Sequence, residues 1–169
     1  MIELELTRTR GDRRLYALEG IGTLRLDGTF ARSATAEAGR DTWRFNQRGF
    51  WRRVIQATDA AGTVVGEFLP RDIRRGGTLR WGRRELTLQP ISPLRERYIL
   101  TEGDRDLVLI DRKSWGRRPV KVTLSDSAAI EPGLLLFATF VVRQLAVNAA
   151  NNSSASTTAT MSGSGSYSG

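Results

Sequence analysis

The chain has no cysteine and no histidine in 169 residues. Without cysteine there is no disulfide framework and no thiol nucleophile. Without histidine, Ser-His-Asp and Cys-His arrangements are excluded, as are His-ligated metal centres. Carboxylates, hydroxyls and arginines are what remains for chemistry. Lysine is scarce as well: only Lys113 and Lys121 are lysine, and the other 24 basic residues are arginine, against 18 acidic ones, for a net charge of +8. An arginine excess has two readings. One is the codon bias of a GC-rich bacterial source. The other is an anionic partner, because the planar guanidinium fork matches phosphate and carboxylate oxygens. The first six residues alternate polar and apolar and lack an apolar h-region. No signal peptide is therefore expected, and a cytoplasmic location is the plain expectation.

Long apolar runs are also missing, with one exception, Pro132–Val147. Its side chains leave no polar face, and Thr139 is the one interruption before Arg143 and Gln144. Pro132 suits a first helical turn, where its missing N–H costs nothing. Glu131 stands at the positive end of the helix dipole, Arg143 lies toward the negative end, and Asn148 is the expected stop. A helix apolar all round is enclosed by protein or by lipid. A spanning helix needs about 20 apolar residues. Gly133–Val142 supplies ten. At about 1.5 Å per residue the whole segment is roughly 24 Å long. That length suits the axis of one domain, so a core helix is expected and a transmembrane segment is not.

Before this helix the chain reads as short strands and turns. Ile2–Leu6 alternates with period two, the signature of a half-buried strand. Arg13–Leu18, Ile21–Leu26, Arg40–Asn46, Trp51–Thr58, Thr63–Leu69, Thr78–Trp81, Glu85–Gln89, Arg95–Thr101, Arg105–Asp111 and Pro119–Leu124 follow. Thr29–Glu37 is weakly patterned. Asp27-Gly28 is a hairpin dipeptide. Arg71–Gly77 reads as a basic loop after Pro70. Leu107–Ile110 is apolar at every position, which predicts a strand covered on both faces. Val120, Val122 and Leu124 are expected inward, with Lys121 and Thr123 outward.

About twelve strands at spacings of 8–12 residues indicate a sandwich or barrel. Eight strands close on their own side chains, and more leave a lumen. A closed twelve-stranded sheet needs something about one helix wide at its centre. The predicted fold is therefore mainly β: a closed barrel of about twelve strands around a buried, apolar C-terminal helix, with no free sheet edge. Residues 1–149 form this domain, with the helix at 132–147. Residues 150–169 are Asn, Ser, Thr, Ala and Gly with one Met and one Tyr, and a flexible low-complexity tail is expected there.

Several stretches resemble the tubby C-terminal-like superfamily, in particular the small bacterial relatives of LURP-one-related proteins and phospholipid scramblases. They are Arg48-Gly49-Phe50-Trp51, Thr58–Arg71, Gly76–Leu88, Leu107–Val122 and Glu131–Ala146, covering about residues 40–147. The resemblance implies a twelve-stranded barrel around a buried C-terminal helix. It also implies roles at the level of class: phosphoinositide head-group binding on a basic barrel surface in tubby proteins, and calcium-responsive membrane attachment in scramblases. No acidic calcium loop of the scramblase type is present.

Basic clusters are the main candidate site. Arg71, Arg74, Arg75, Arg83 and Arg84 form one, Arg117, Arg118 and Lys121 another, and Arg48, Arg52 and Arg53 a third. Beside Gly76, Gly77 and Gly116 such arginines could add backbone N–H donors to guanidinium groups around a phosphate. Charge runs on strands also simply face water. Trp51, Trp81 and Trp115 adjoin these clusters, where an amphipathic ring suits either a core or a membrane interface. Nucleic acid is not the expected partner, since no stacking platform is recognisable. Asp59, Asp104, Asp106 and Asp111 are explained by turns and by arginine pairing, so no enzyme, metal site or cofactor is expected. The expected function is non-enzymatic binding of an anionic membrane surface, a phospholipid head group or an acidic protein, peripheral to the inner membrane face. The alternative is a structural or protein-interaction module with no small ligand.

Overall fold

The computed structural model describes the chain except for residues 29–30, 50–51, 73–75, 92–96, 112–118, 126–129 and 158–169. At Asp72 and over residues 150–157 it describes the backbone alone. Twelve antiparallel strands form a closed barrel in which each strand pairs with its neighbours in sequence, and β1 closes on β12. The strands are β1 Ile2–Arg8, β2 Leu15–Leu18, β3 Gly22–Leu26, β4 Ser33–Ala38, β5 Asp41–Arg48 and β6 Val54–Asp59. They continue as β7 Val64–Asp72, β8 Gly76–Trp81, β9 Arg84–Pro90, β10 Arg97–Glu102, β11 Arg105–Asp111 and β12 Val120–Leu124. One helix, α1 Pro132–Thr157, runs through the barrel. Alternation does what period two predicts: in β12, Val120, Val122 and Leu124 are buried while Lys121 faces water.

From Leu134 to Val142 every side chain of α1 is completely buried. Phe45 of β5 meets Phe137 and Phe140 at ring centroid distances of 5.1 and 5.6 Å. The helix lies nearest β4. The inward positions of β4 are Ala34, Ala36 and Ala38, whose small side chains let a helix approach. Thr139, polar within the apolar run, donates its hydroxyl to the Leu135 carbonyl at 2.8 Å, so no buried donor is left open. By length and composition Pro132–Ala149 could cross a membrane. Here most of it is enclosed by strands.

Five expectations need correction. Asn148 does not end the helix, and the stretch expected to be a flexible tail from residue 150 is helical through Thr157. Once Leu134–Leu145 is anchored, each further residue is propagation rather than nucleation, and Ala, Asn and Ser oppose it only weakly. Pro70 does not end β7, which continues to Asp72. Pro70 opposes Gly77 and is followed by a bulge at Arg71, a place where a strand tolerates proline. The basic loop expected at Arg71–Gly77 shrinks accordingly, because Gly76 and Gly77 are buried in β8. The strand expected to be covered on both faces, β11, is not. A bulge at Leu107 turns both Leu107 and Val108 inward, while Leu109 stays half-buried between Ile99 and Thr123.

The last fully packed apolar residue of α1 is Leu145. Deleting residues 150–169 should therefore leave the thermal midpoint essentially unchanged while lowering the helical circular dichroism signal. A drop of several degrees would show that this segment contributes to the packed domain.

Candidate functional site: the two mouths of the barrel

Strict neighbour pairing fixes which connection lies at which mouth. Odd-numbered strands run one way and even-numbered strands the other. The connections after β2, β4, β6, β8 and β10, together with the entry to α1, lie at one mouth. Gly133 packs there against Trp43 and Trp81. The connections after β1, β3, β5, β7, β9 and β11 lie at the opposite mouth. Arg143 and Gln144 there reach the Ala31 carbonyl, at 3.3 and 2.8 Å, and α1 passes out.

The entry mouth is plugged by aromatic rings. The Trp81 indole is buried, lies 6.1 Å from Trp43 and 5.7 Å from Phe137, and donates Nε1–H to the Glu131 carboxylate at 2.7 Å. Trp81 is thus a core residue held by the residue that opens the helix, and it offers no ring to an interface. Trp51 and Trp115 lie outside the described residues. Exposed acids gather at this mouth: Glu19, Glu37, Asp41, Asp104 and Asp106.

The exit mouth carries the opposite charge. Arg8, Arg10, Arg13, Arg14, Arg32, Arg48, Arg52 and Arg71 are exposed there, and Arg53 partly so. Among the described residues none of these guanidinium groups has a carboxylate partner. The described carboxylates at this mouth are already engaged. Asp12 binds Arg25 at 2.6 Å, Asp27 binds Arg44 at 3.1 Å, and Asp111 lies 3.5 Å from Arg97. The Arg14 backbone N–H and then Arg25 hold the Asp12 carboxyl below its usual range. Arg53 has a φ of 40°, uncommon for a residue with a side chain. Burial pushes the Arg143 guanidinium below its usual value.

The sequence-predicted residues do not come together at one place. Arg71, exposed and singled out by its bulge, lies at the exit mouth. Arg83, exposed, and Arg84, half-buried, form the β8–β9 hairpin at the entry mouth. Arg84 makes a two-pronged pair with Glu102, at 2.8 and 3.0 Å. That hydrogen bonding raises the Arg84 guanidinium and lowers the Glu102 carboxyl. Lys121, on the outer face of β12, donates to Glu3 at 3.0 Å and is raised by it. Arg74, Arg75, Arg117 and Arg118 lie outside the described residues, as does Gly116. Gly76 and Gly77 offer no open phosphate cradle. A Cβ on Gly76 would collide with the Leu88 carbonyl and one on Gly77 with that of Leu69.

Arg10, Arg13, Arg14 and Arg32 fell outside the sequence-predicted set. The signal that finds them is strand parity, since they occupy connections that leave odd-numbered strands. Compared with models of protein families, with curated proteins and with solved structures, the chain has no match.

Proposed function

We propose that this chain is a non-enzymatic binding module for an anionic partner, foremost a phospholipid head group at a membrane surface, held by arginines outside the barrel. One observation carries the reading: exposed arginines of the exit mouth, Arg71 among them, lack carboxylate partners among the described residues. Arginines on the strand exteriors, by contrast, largely have one. An exposed pair contributes only about 0–1 kcal/mol to stability, so pairing mainly determines which cations stay available to a ligand. The resemblance to the tubby-like superfamily supports the same reading, through twelve strands followed by an enclosed helix.

The second reading is a protein-interaction module that takes an acidic protein and no small ligand. It is favoured by the solid interior, where α1 occupies the space in which larger barrels hold a ligand.

Co-sedimentation with phosphatidylcholine vesicles, with and without phosphatidylserine, separates the two. Binding should require the anionic lipid and weaken as salt rises, because exposed charges are screened within a Debye length of roughly 10 Å at 0.1 M. Each arginine near such a surface is worth about 1 kcal/mol. Replacing Arg48, Arg52 and Arg71 with Gln should thus weaken binding on the order of a hundredfold. No binding at low salt, or binding indifferent to both salt and substitution, would rule the lipid reading out.

A further inference from the structure

We infer, on the footing of the anionic-surface reading above, that the barrel docks on an anionic lipid surface by its exit rim, tilted so that the emerging α1 lies beside the contact, with the entry mouth turned away. The wall of the barrel is not the docking face. The two ends of the barrel differ in net charge. Arg10, Arg13, Arg32, Arg48, Arg52 and Arg71 belong to the exit rim and are exposed. At the other end Glu19, Glu37, Asp41, Asp104 and Asp106 are exposed and outnumber the exposed Arg40, Arg83 and Arg105. Between the ends the wall carries paired charges, such as Arg80 with Glu85 and Lys121 with Glu3.

Distance decides whether the acidic end cancels the basic one. A seven-residue strand such as Ile2–Arg8, rising about 3.3 Å per residue and tilted near 40°, separates the mouths by roughly 18 Å. That exceeds the screening length of about 8 Å at physiological salt. A surface touching the exit rim therefore meets the arginines almost alone. A surface approaching the entry mouth meets acids interspersed with Arg40, Arg83 and Arg105 and gains no comparable attraction. The β1–β2, β3–β4 and β5–β6 connections are successive around the rim, so their arginines can engage one flat surface together. α1 emerges through this mouth and runs on to Thr157, so the surface meets the rim on the side of these three connections. The emerging segment adds no charge repulsion, because no residue after Arg143 has a charged side chain.

The absence of cysteine makes the test direct, since one introduced thiol is the only one to label. Thr9→Cys marks the exit rim and Ala61→Cys the entry mouth. Both positions are exposed and lie in connections between strands. Each variant is labelled with a fluorophore and mixed with phosphatidylcholine–phosphatidylserine vesicles that carry a head-group quencher. Sedimentation of the same samples reads binding independently. The expected result is strong quenching at position 9 and little at position 61, lost together with binding at high salt. Arg40→Gln, at the entry mouth, should leave vesicle affinity within about twofold, whereas Arg10→Gln with Arg13→Gln should lower it by roughly tenfold or more. Sedimentation with equal quenching at both positions, or stronger quenching at 61, would overturn the orientation while leaving lipid binding intact. Absence of sedimentation, including a preference for duplex nucleic acid in its place, would overturn both.

Discussion

Phe140→Asp should abolish the cooperative thermal transition. Phe140 is completely buried, its ring 5.6 Å from Phe45 at the centre of the barrel. A carboxylate there is enclosed by apolar side chains and has no partner designed for it. Burying an unpaired polar or charged group costs several kcal/mol or more, and a domain has only about 5–15 kcal/mol of stability to lose. Protonation does not rescue it, because the neutral acid still leaves a cavity where the ring was. Phe140→Leu is the matched control: it keeps an apolar side chain and should cost roughly 1–2 kcal/mol with the transition still cooperative. Circular dichroism melts read both. A Phe140→Asp protein melting like its parent would mean that α1 does not form the core.

Trp81→Ala should cost roughly 3–5 kcal/mol, as large-to-small changes of aromatic core residues do. The indole occupies a slot whose two walls are glycines. A Cβ on Gly66 of β7 or on Gly133 of α1 would come within 2.6 Å of its ring carbons. This geometry makes a second, sharper statement. Gly133→Val in the parent should destabilise by about 1–3 kcal/mol, because it crowds Trp81 and Trp43 together. In the Trp81→Ala background the same valine grows into the vacated space, so the double variant should be more stable than the sum of the singles by about 1 kcal/mol or more. Compensation stays incomplete, since the Trp43 ring also lies 2.7 Å from the added carbon. Strictly additive costs in urea unfolding would show that the indole and Gly133 do not share this slot.

What the sequence disclosed and what it withheld divide along physical lines. β8, β9 and β12 were legible because apolar and polar residues alternate there, as in Leu86-Thr87-Leu88 and Val120-Lys121-Val122. The barrel followed from counting: twelve strands leave a hole, and one helix lacked a polar face. Bulges were not legible. A residue inserted at Leu107 reverses which neighbours face inward, and an apolar run of four reads the same with or without it. Nor was the helix end, because past Val147 no periodic signal tells propagation from coil.

Along the chain the basic residues form clusters that join Arg71 to Arg83 and Arg84 across the intervening strand. In the barrel a strand separates rather than joins, since consecutive connections open at opposite mouths. Pairing was equally invisible: Arg84 and Glu102 are eighteen residues apart and meet only because β9 and β10 are neighbours.

The closure of β1 on β12, with Ile2 opposite Leu124, has a consequence for biosynthesis. Every other strand pair is local and can form as the chain leaves the ribosome, on the microsecond scale of hairpins. The closing pair spans more than a hundred residues, and the helix that fills the interior comes later still. Until α1 is available, the nascent sheet carries two open edges and an inner face of Leu, Phe, Ile and Ala with nothing against it. Closure is therefore the last step of assembly, and the interval before it is when this chain is most exposed to edge-to-edge association.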